Sequence, residues 1–279
     1  MIKIDSSTEP AFLSSDTVID ALDRIRDKVN TAQFPAIEKA DELWRNDKVT
    51  DELYDSHHGK CCYCERKRDR KREMDVEHYR PKGEVKDVGG HMGYWWLVLK
   101  WNNLLWSCKT CHQKYKGTEF TLLPGSTRAY YETSDLNLER PCLINPKLED
   151  PSQFLSFHVD QRGGRYFVTA ISRAGIEDYQ ETRANETIRI VRLNRKEPGY
   201  DLVQERGNAF LGTDFEMIVF SIMCADDAKD KVPENRQCYI DAINSHREKL
   251  KKYIKSDRVF SGVYRDYLRR KNIEYENLL

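Results

Sequence analysis

The sequence predicts a mixed α+β protein, a cysteine-pinned core flanked by helical regions, and three observations predict it. Apolar residues recur at helical spacing in the N-terminal and C-terminal stretches. Two short cysteine pairs bracket a segment in the second quarter of the chain. A glycine-bearing turn separates two strand-like runs near the middle. The chain has 279 residues, enough for one large domain or two small ones. A charged share of 33% beside 11% aromatics describes a soluble, folded chain. No apolar run approaches the roughly 20 residues that span a bilayer. The opening Met1-Ile2-Lys3-Ile4-Asp5 lacks the basic and apolar parts of a signal peptide. A cytoplasmic chain with reduced thiols is therefore expected. Lys and Arg number 46 and so do Asp and Glu, so any affinity for nucleic acid must come from a local patch.

The elements read in three regions, with soft boundaries: a helical segment over 1–59, a cysteine-bearing core over 60–142, and a hairpin with helices over 143–279. In the first, Val18, Leu22, Ile25 and Val29 follow the capping residues Ser15 and Asp16. Further helices are expected over 36–44 and 50–55. In the third, runs 154–159 and 165–169 flank Asp160-Gln161-Arg162-Gly163-Gly164 and predict a hairpin. Helices are then expected over 176–193, 209–224, 239–254 and 263–270, the stretch 245–249 presenting a solvated charged face.

The cysteine spacing is the most specific signal. Cys61 and Cys64 form one C-x-x-C pair, and Cys108 and Cys111 a second. Two such pairs supply the four thiolates of a closed structural zinc site. Cys62 fits the knuckle spacing less well. Cys142, Cys224 and Cys238 lack matching partners and read as small buried hydrophobes. The 43 residues between the pairs exceed what a simple ribbon needs, so something functional is expected within them.

That insertion holds Met74-Asp75-Val76-Glu77-His78-Tyr79-Arg80-Pro81-Lys82, an acid and a histidine at the end of a short strand, stopped by a proline. Trp101-Asn102-Asn103-Leu104-Leu105-Trp106-Ser107 then enters the second pair. His112 follows Cys111 directly, and 113–117 reads as a short helix ending at glycine. Phosphodiester hydrolysis needs a base for water and a cation for the phosphoryl and leaving oxygens. His78 titrates near neutrality and suits the base. Glu77 and His112 offer oxygen and nitrogen to a divalent ion, magnesium or manganese by the chemistry of such a donor set. Asn103 can hold the imidazole or complete the metal shell.

The ordered set Cys61, Cys64, Glu77, His78, Asn103, Cys108, Cys111 and His112 resembles the HNH, or ββα-metal, nucleases in their zinc-knuckle form. The resemblance implies a ββα-metal core, a hydrolase leaving a 5′ phosphate, His78 as general base, Glu77 and His112 as ligands of the catalytic ion, and Asn103 orienting the base. Within that family, Glu77-His78-Tyr79-Arg80-Pro81-Lys82-Gly83, Gly93-Tyr94-Trp95-Trp96-Leu97, Cys142-Leu143-Ile144-Asn145-Pro146 and Thr187-Ile188-Arg189-Ile190-Val191-Arg192-Leu193-Asn194 look like the effectors of Septu and retron antiphage systems, the PtuB type. This closer likeness covers residues 60–206 and implies an ABC-like ATPase partner of the PtuA type. The terminal helices are candidate docking segments for it.

Arg66, Lys67, Arg68, Arg70, Lys71 and Arg72 crowd the loop before His78 and are candidates for phosphate contact with nucleic acid, DNA favoured over RNA. Arg80, Lys82, Lys114 and Lys116 are secondary candidates. Trp95, Trp96, Trp101 and Trp106 could stack bases, although such clusters more often form core. The rival to a nuclease is a non-catalytic zinc-stabilised module that binds nucleic acid or serves as an assembly subunit.

Overall fold

A computed structural model describes residues 1–4, 8–33, 37–197, 200–210 and 214–279. The chain forms two compact units: residues 1–155 with 172–193, and residues 156–171 with 194–279. The architecture is α+β, with small two-stranded sheets. The three regions read along the sequence do not coincide with these units. The N-terminal helices and the cysteine-bearing core share one of them.

In the first unit, helix α1 (Asp16–Asn30) buries Val18, Ala21 and Ile25, the face its periodicity marks. Helix α2 (Asp47–Ser56) opens on Asn46, whose side chain accepts from the Lys48 amide, and buries Val49 and Leu53. The helix expected over 36–44 begins at a residue outside the described ones. The described remainder forms two 3-10 turns, Lys39–Asp41 and Leu43–Arg45, instead of an α-helix. Asp41 accounts for the break. Its carboxylate accepts from Arg24 and from the Glu38 amide, local bonds that compete with helical continuation.

Strands β1 (Met74–His78) and β2 (Leu104–Cys108) pair antiparallel, Met74 opposite Cys108 and His78 opposite Leu104. Every residue of both is buried, because α2 and Trp44 cover one face and a π-helical segment, Thr110–Lys116, closes the other. That segment ends at Gly117, at φ 51°. The short helix expected over 113–117 thus starts earlier and winds more widely. The connection between the strands is held by a close backbone approach at Gly93 (φ +84°), where an added Cβ would lie 1.9 Å from the Gly83 carbonyl oxygen. Trp95, Trp96, Trp101 and Trp106 are all buried, so the tryptophans are core. Helix α3 (Asp178–Ile190) completes the unit, with Ala184, Thr187 and Ile190 inward.

In the second unit, β3 (Leu155–Arg162) and β4 (Arg165–Ser172) form the expected hairpin on a tighter turn than the sequence suggested. Gly163 and Gly164 alone make it, at φ 56° and 73°, the two left-handed positions such a turn requires. Helices α4 (Leu202–Phe210), α5 (Phe215–Lys229), α6 (Arg236–Ile254) and α7 (Ser261–Arg270) follow. The helix expected over 209–224 runs across residues outside the described ones. Its described parts are the end of α4 and most of α5. A ring cluster, Phe210, Phe215, Tyr253 and Tyr264, forms the core here, with centroids 4.9–5.6 Å apart. Cys142 in the first unit is buried as expected, but Cys224 and Cys238 are exposed. They lie on the outer sides of α5 and α6, contrary to their reading as core thiols. Among the described residues no single helix is long and apolar enough to cross a membrane.

Candidate metal centre and active site

The two C-x-x-C pairs meet where the chain before β1 abuts the end of β2. The Sγ atoms of Cys61, Cys64, Cys108 and Cys111 all lie within 4.8 Å of one another, all buried. Cys64 and Cys108 are 3.9 Å apart, close to the roughly 3.8 Å that a tetrahedral zinc–thiolate site imposes. Four thiols this crowded cannot all ionise without a cation. Burial raises the Cys61 thiol, yet hydrogen bonds with Cys108 and Cys111 outweigh it and hold it well below its usual range. Bonds with the same two cysteines bring Cys64 to about 6, while Cys111, bonded first to Cys108, is driven well up. A divalent soft-acceptor ion would resolve that conflict, so the residues fit zinc. Burial drives the adjacent Cys62 upward, and it stays outside the cluster.

The cluster fastens a second group to itself through its own knuckle. Tyr63, between Cys61 and Cys64, donates from its hydroxyl to Glu77 Oε1 at 3.2 Å. Lys116 Nζ lies 2.7 Å from the same oxygen, and His112 donates from Nδ1 to Glu77 Oε2. Glu77 and Lys116 are both 1% exposed, whereas the His112 side chain is 22% exposed. Burial acts to raise the Glu77 carboxyl; Lys116 and then His112 outweigh it and bring it below its ordinary value. A buried carboxylate oxygen beside a solvent-facing imidazole can hold a hydrated divalent ion through two protein ligands.

His78 is the next residue on the strand and so faces the other way. Its ring meets Trp44 edge-on at 4.9 Å. Nε2 lies 3.0 Å from the Val98 carbonyl, which can only accept, so Nε2 carries the proton and Nδ1 the lone pair. Burial lowers its pKa to about 3. The two faces are joined through Lys116, whose Nζ also donates to the His78 carbonyl at 3.0 Å.

Asn103 touches neither the imidazole nor the carboxylate, contrary to both roles that residue type suggested. Its Oδ1 accepts from the Arg80 amide at 2.8 Å, and its Nδ2 donates to the carbonyls of Arg80 and Leu97 at 3.1 and 3.2 Å. It therefore clamps the turn after His78 to the segment whose next residue, Val98, holds the imidazole. Any orientation of His78 by Asn103 runs through backbone.

The basic candidates scatter. Arg66 is 3% exposed and Lys116 is fully inside, so neither presents its charge to a solvent-borne phosphate. Arg70 pairs with Asp51 and lies over the Tyr54 ring at 4.6 Å; Arg68 approaches Glu73 at 3.9 Å. Lys67, Lys71, Arg72 and Lys114 are exposed, and Lys82 lies over Trp44 at 5.0 Å, beside His78. Arg80 donates from Nε to Glu139 at 2.8 Å. Sequence reasoning missed Tyr63, Trp44, His57 and the inward role of Lys116. His57 accepts the Trp106 amide on Nε2 at 3.1 Å and so anchors β2 from α2. Only Tyr63 carried a signal, its place inside the knuckle.

The fold and site thus define a two-stranded hairpin leading into a short helix, stapled by four thiolates, with a carboxylate and two histidines on its faces. No protein-family model matches the chain. It is similar to the Septu protein PtuB of Bacillus mycoides (strain KBAB4), 29% identical over 219 residues, covering 74% of this chain and 66% of that protein. It is also similar to the Septu protein PtuB of Bacillus thuringiensis, 28% identical over 120 residues, covering 43% of this chain and 36% of that one. The match spans just under two thirds of the first relative and about a third of the second.

Proposed function

We propose that this chain is a metal-dependent endonuclease of the HNH, or ββα-metal, type, serving as the effector of a Septu-type antiphage system beside an ABC-like ATPase. The observation that carries the reading is the order strand, strand, helix, with Glu77 and His78 at the end of the first strand and His112 on the helix facing Glu77. The likeness to proteins named Septu protein PtuB supports the defence context.

His78 remains neutral at pH 7, so Nδ1 can take a proton from water, and the Val98 carbonyl stabilises the imidazolium that results. Glu77 Oε2 and His112 would hold magnesium or manganese, which would supply positive charge to the phosphoryl and leaving oxygens. Lys116 and Tyr63 fix the Glu77 carboxylate so that it does not swing when its imidazole partner turns to a ligand. Cys61, Cys64, Cys108 and Cys111 would hold zinc, which would keep hairpin and helix in register.

Divalent-ion titrations of cleavage test the metal assignment. His112→Ala and Glu77→Gln are each expected to raise the manganese concentration for half-maximal activity at least about 10-fold, since losing a ligand costs no less than disturbing the groups behind it. Unchanged manganese dependence in both would remove these residues as ligands.

A further inference from the structure

The two residues after His78 leave the site just described and enter the wall of a separate cavity in the same unit, about 530 Å³ in volume, which contains neither Glu77, His78 nor His112. Its carboxylates are already used. Glu139 accepts from the Tyr94 hydroxyl at 2.6 Å, the Ala129 amide at 2.9 Å and Arg80 Nε. Glu149 accepts from the Asn145 amide at 3.0 Å and from both terminal nitrogens of Arg183.

Arg183 also gives Nε to the Pro141 carbonyl at 2.8 Å, but other guanidinium donors of the lining are not used. The Nη groups of Arg80 have no acceptor among the described residues, although the guanidinium lies 5.5–5.9 Å from the centroids of Tyr79, Tyr94 and Phe120. Arg140, at the exposed rim, gives one Nη to the Pro124 carbonyl and keeps the rest of its donors. Asn145 is 1% exposed and its Nδ2 is closed off from the cavity, so the open donors are those of Arg80 and Arg140. Three guanidiniums stand against two carboxylates, so the lining is net positive. Tyr179 and Leu148, 47% and 56% exposed, add a ring and an apolar side chain to the wall.

We propose that this cavity is a second ligand site, and that its ligand is a nucleoside phosphate. Arg80 and Arg140 bind the phosphate oxygens. Tyr179 packs against the base. The volume lies in the range of small-molecule sites and exceeds what inorganic phosphate fills. The phosphate can belong to a free nucleotide or to one nucleotide of a strand held elsewhere on the protein. The proposal does not depend on the nuclease reading, since no residue of the cleavage site takes part.

Calorimetric titration of the zinc-loaded full chain, without magnesium or manganese, tests it with 5′-AMP, adenosine and a short single-stranded DNA as probes. AMP is expected to bind with Kd below about 1 mM and adenosine at least 10-fold more weakly. Arg140→Glu is expected to weaken AMP at least 10-fold, with zinc content and melting temperature retained. Arg140 is exposed, so this variant keeps the test decisive if Arg80→Gln, which leaves buried Glu139 without its cation, fails to fold. DNA binding that is Arg140-dependent, with no AMP binding, supports the site with the strand as its source. Absence of binding by both probes, or binding that Arg140→Glu leaves unchanged, overturns the proposal.

Discussion

At the residue scale, the site turns on one buried ion pair. Glu77 can remain a carboxylate at 1% exposure because Lys116 stands 2.7 Å away. Removing one partner of such a pair leaves an uncompensated charge, at a cost of about 3–5 kcal/mol. Lys116→Met should therefore lower the melting temperature by roughly 2–4 °C per kcal/mol lost. Lys114→Met, two residues away and exposed, should leave it unchanged. Equal melting of the two variants by calorimetry would show that the pair does not hold the carboxylate. Both lysines looked alike in the sequence, each a basic residue near a knuckle. What separates them is the π-helical winding of Thr110–Lys116, which turns one inward. Spacing rules for ordinary helices cannot anticipate that. Residue type and order nominated Glu77, His78 and His112, and the fold brings Glu77 and His112 together. Asn103 was legible as a member of the set but not in its bonds, which depend on a turn that only the folded chain forms.

At the element scale, the hairpin β1–β2 has little of its own to stand on, since isolated two-stranded hairpins are marginal in water. Its stability comes from α2, from the segment 110–116 and from the thiolate cluster at its end. Cys108→Ser should abolish stoichiometric zinc in a colorimetric release assay. It should also lower the melting temperature by roughly 6–20 °C, taking about 3–5 kcal/mol for the uncompensated buried thiolates left behind. A variant that keeps full zinc with wild-type melting would exclude Cys108 as a ligand. The cysteine spacing made this element readable, because four thiolates at those intervals satisfy a fixed tetrahedral geometry. The stretch 36–44 was misread where Asp41 bonds Arg24, a contact 17 residues away that no local pattern records. Cys224 and Cys238 were misread because cysteine composition says nothing about which side of α5 or α6 faces out.

At the scale of the whole molecule, buried neutral histidine makes the fold acid-sensitive. Burial lowers His57 from 6.5 to about 3, and its Nε2 must stay unprotonated to accept the Trp106 amide. Between those values the unfolded chain binds a proton that the native chain does not. Stability from this group is thus complete above about pH 6.5 and is lost as pH falls toward 3, by about 1.4 kcal/mol per unit. Urea unfolding at about pH 7 and about pH 5 should show wild type losing roughly 2 kcal/mol more than His57→Gln, whose amide oxygen accepts without titrating. Acid loss of zinc affects both chains and drops out of the comparison. Identical losses in the two chains would remove His57 as the source.

The central claim is hydrolysis of nucleic acid with His78 as base. The most direct measurement is cleavage of plasmid DNA and of total RNA by the zinc-loaded chain, alone and with the proposed ATPase, with magnesium or manganese, beside His78→Ala. The account predicts cleavage that requires the divalent ion, on DNA in preference to RNA. It also predicts a fall of at least about 100-fold in the variant while zinc content and melting stay at wild-type values. Cleavage that His78→Ala leaves intact, or none on either substrate under any of these conditions, would contradict it and favour a zinc-stabilised binding or assembly subunit.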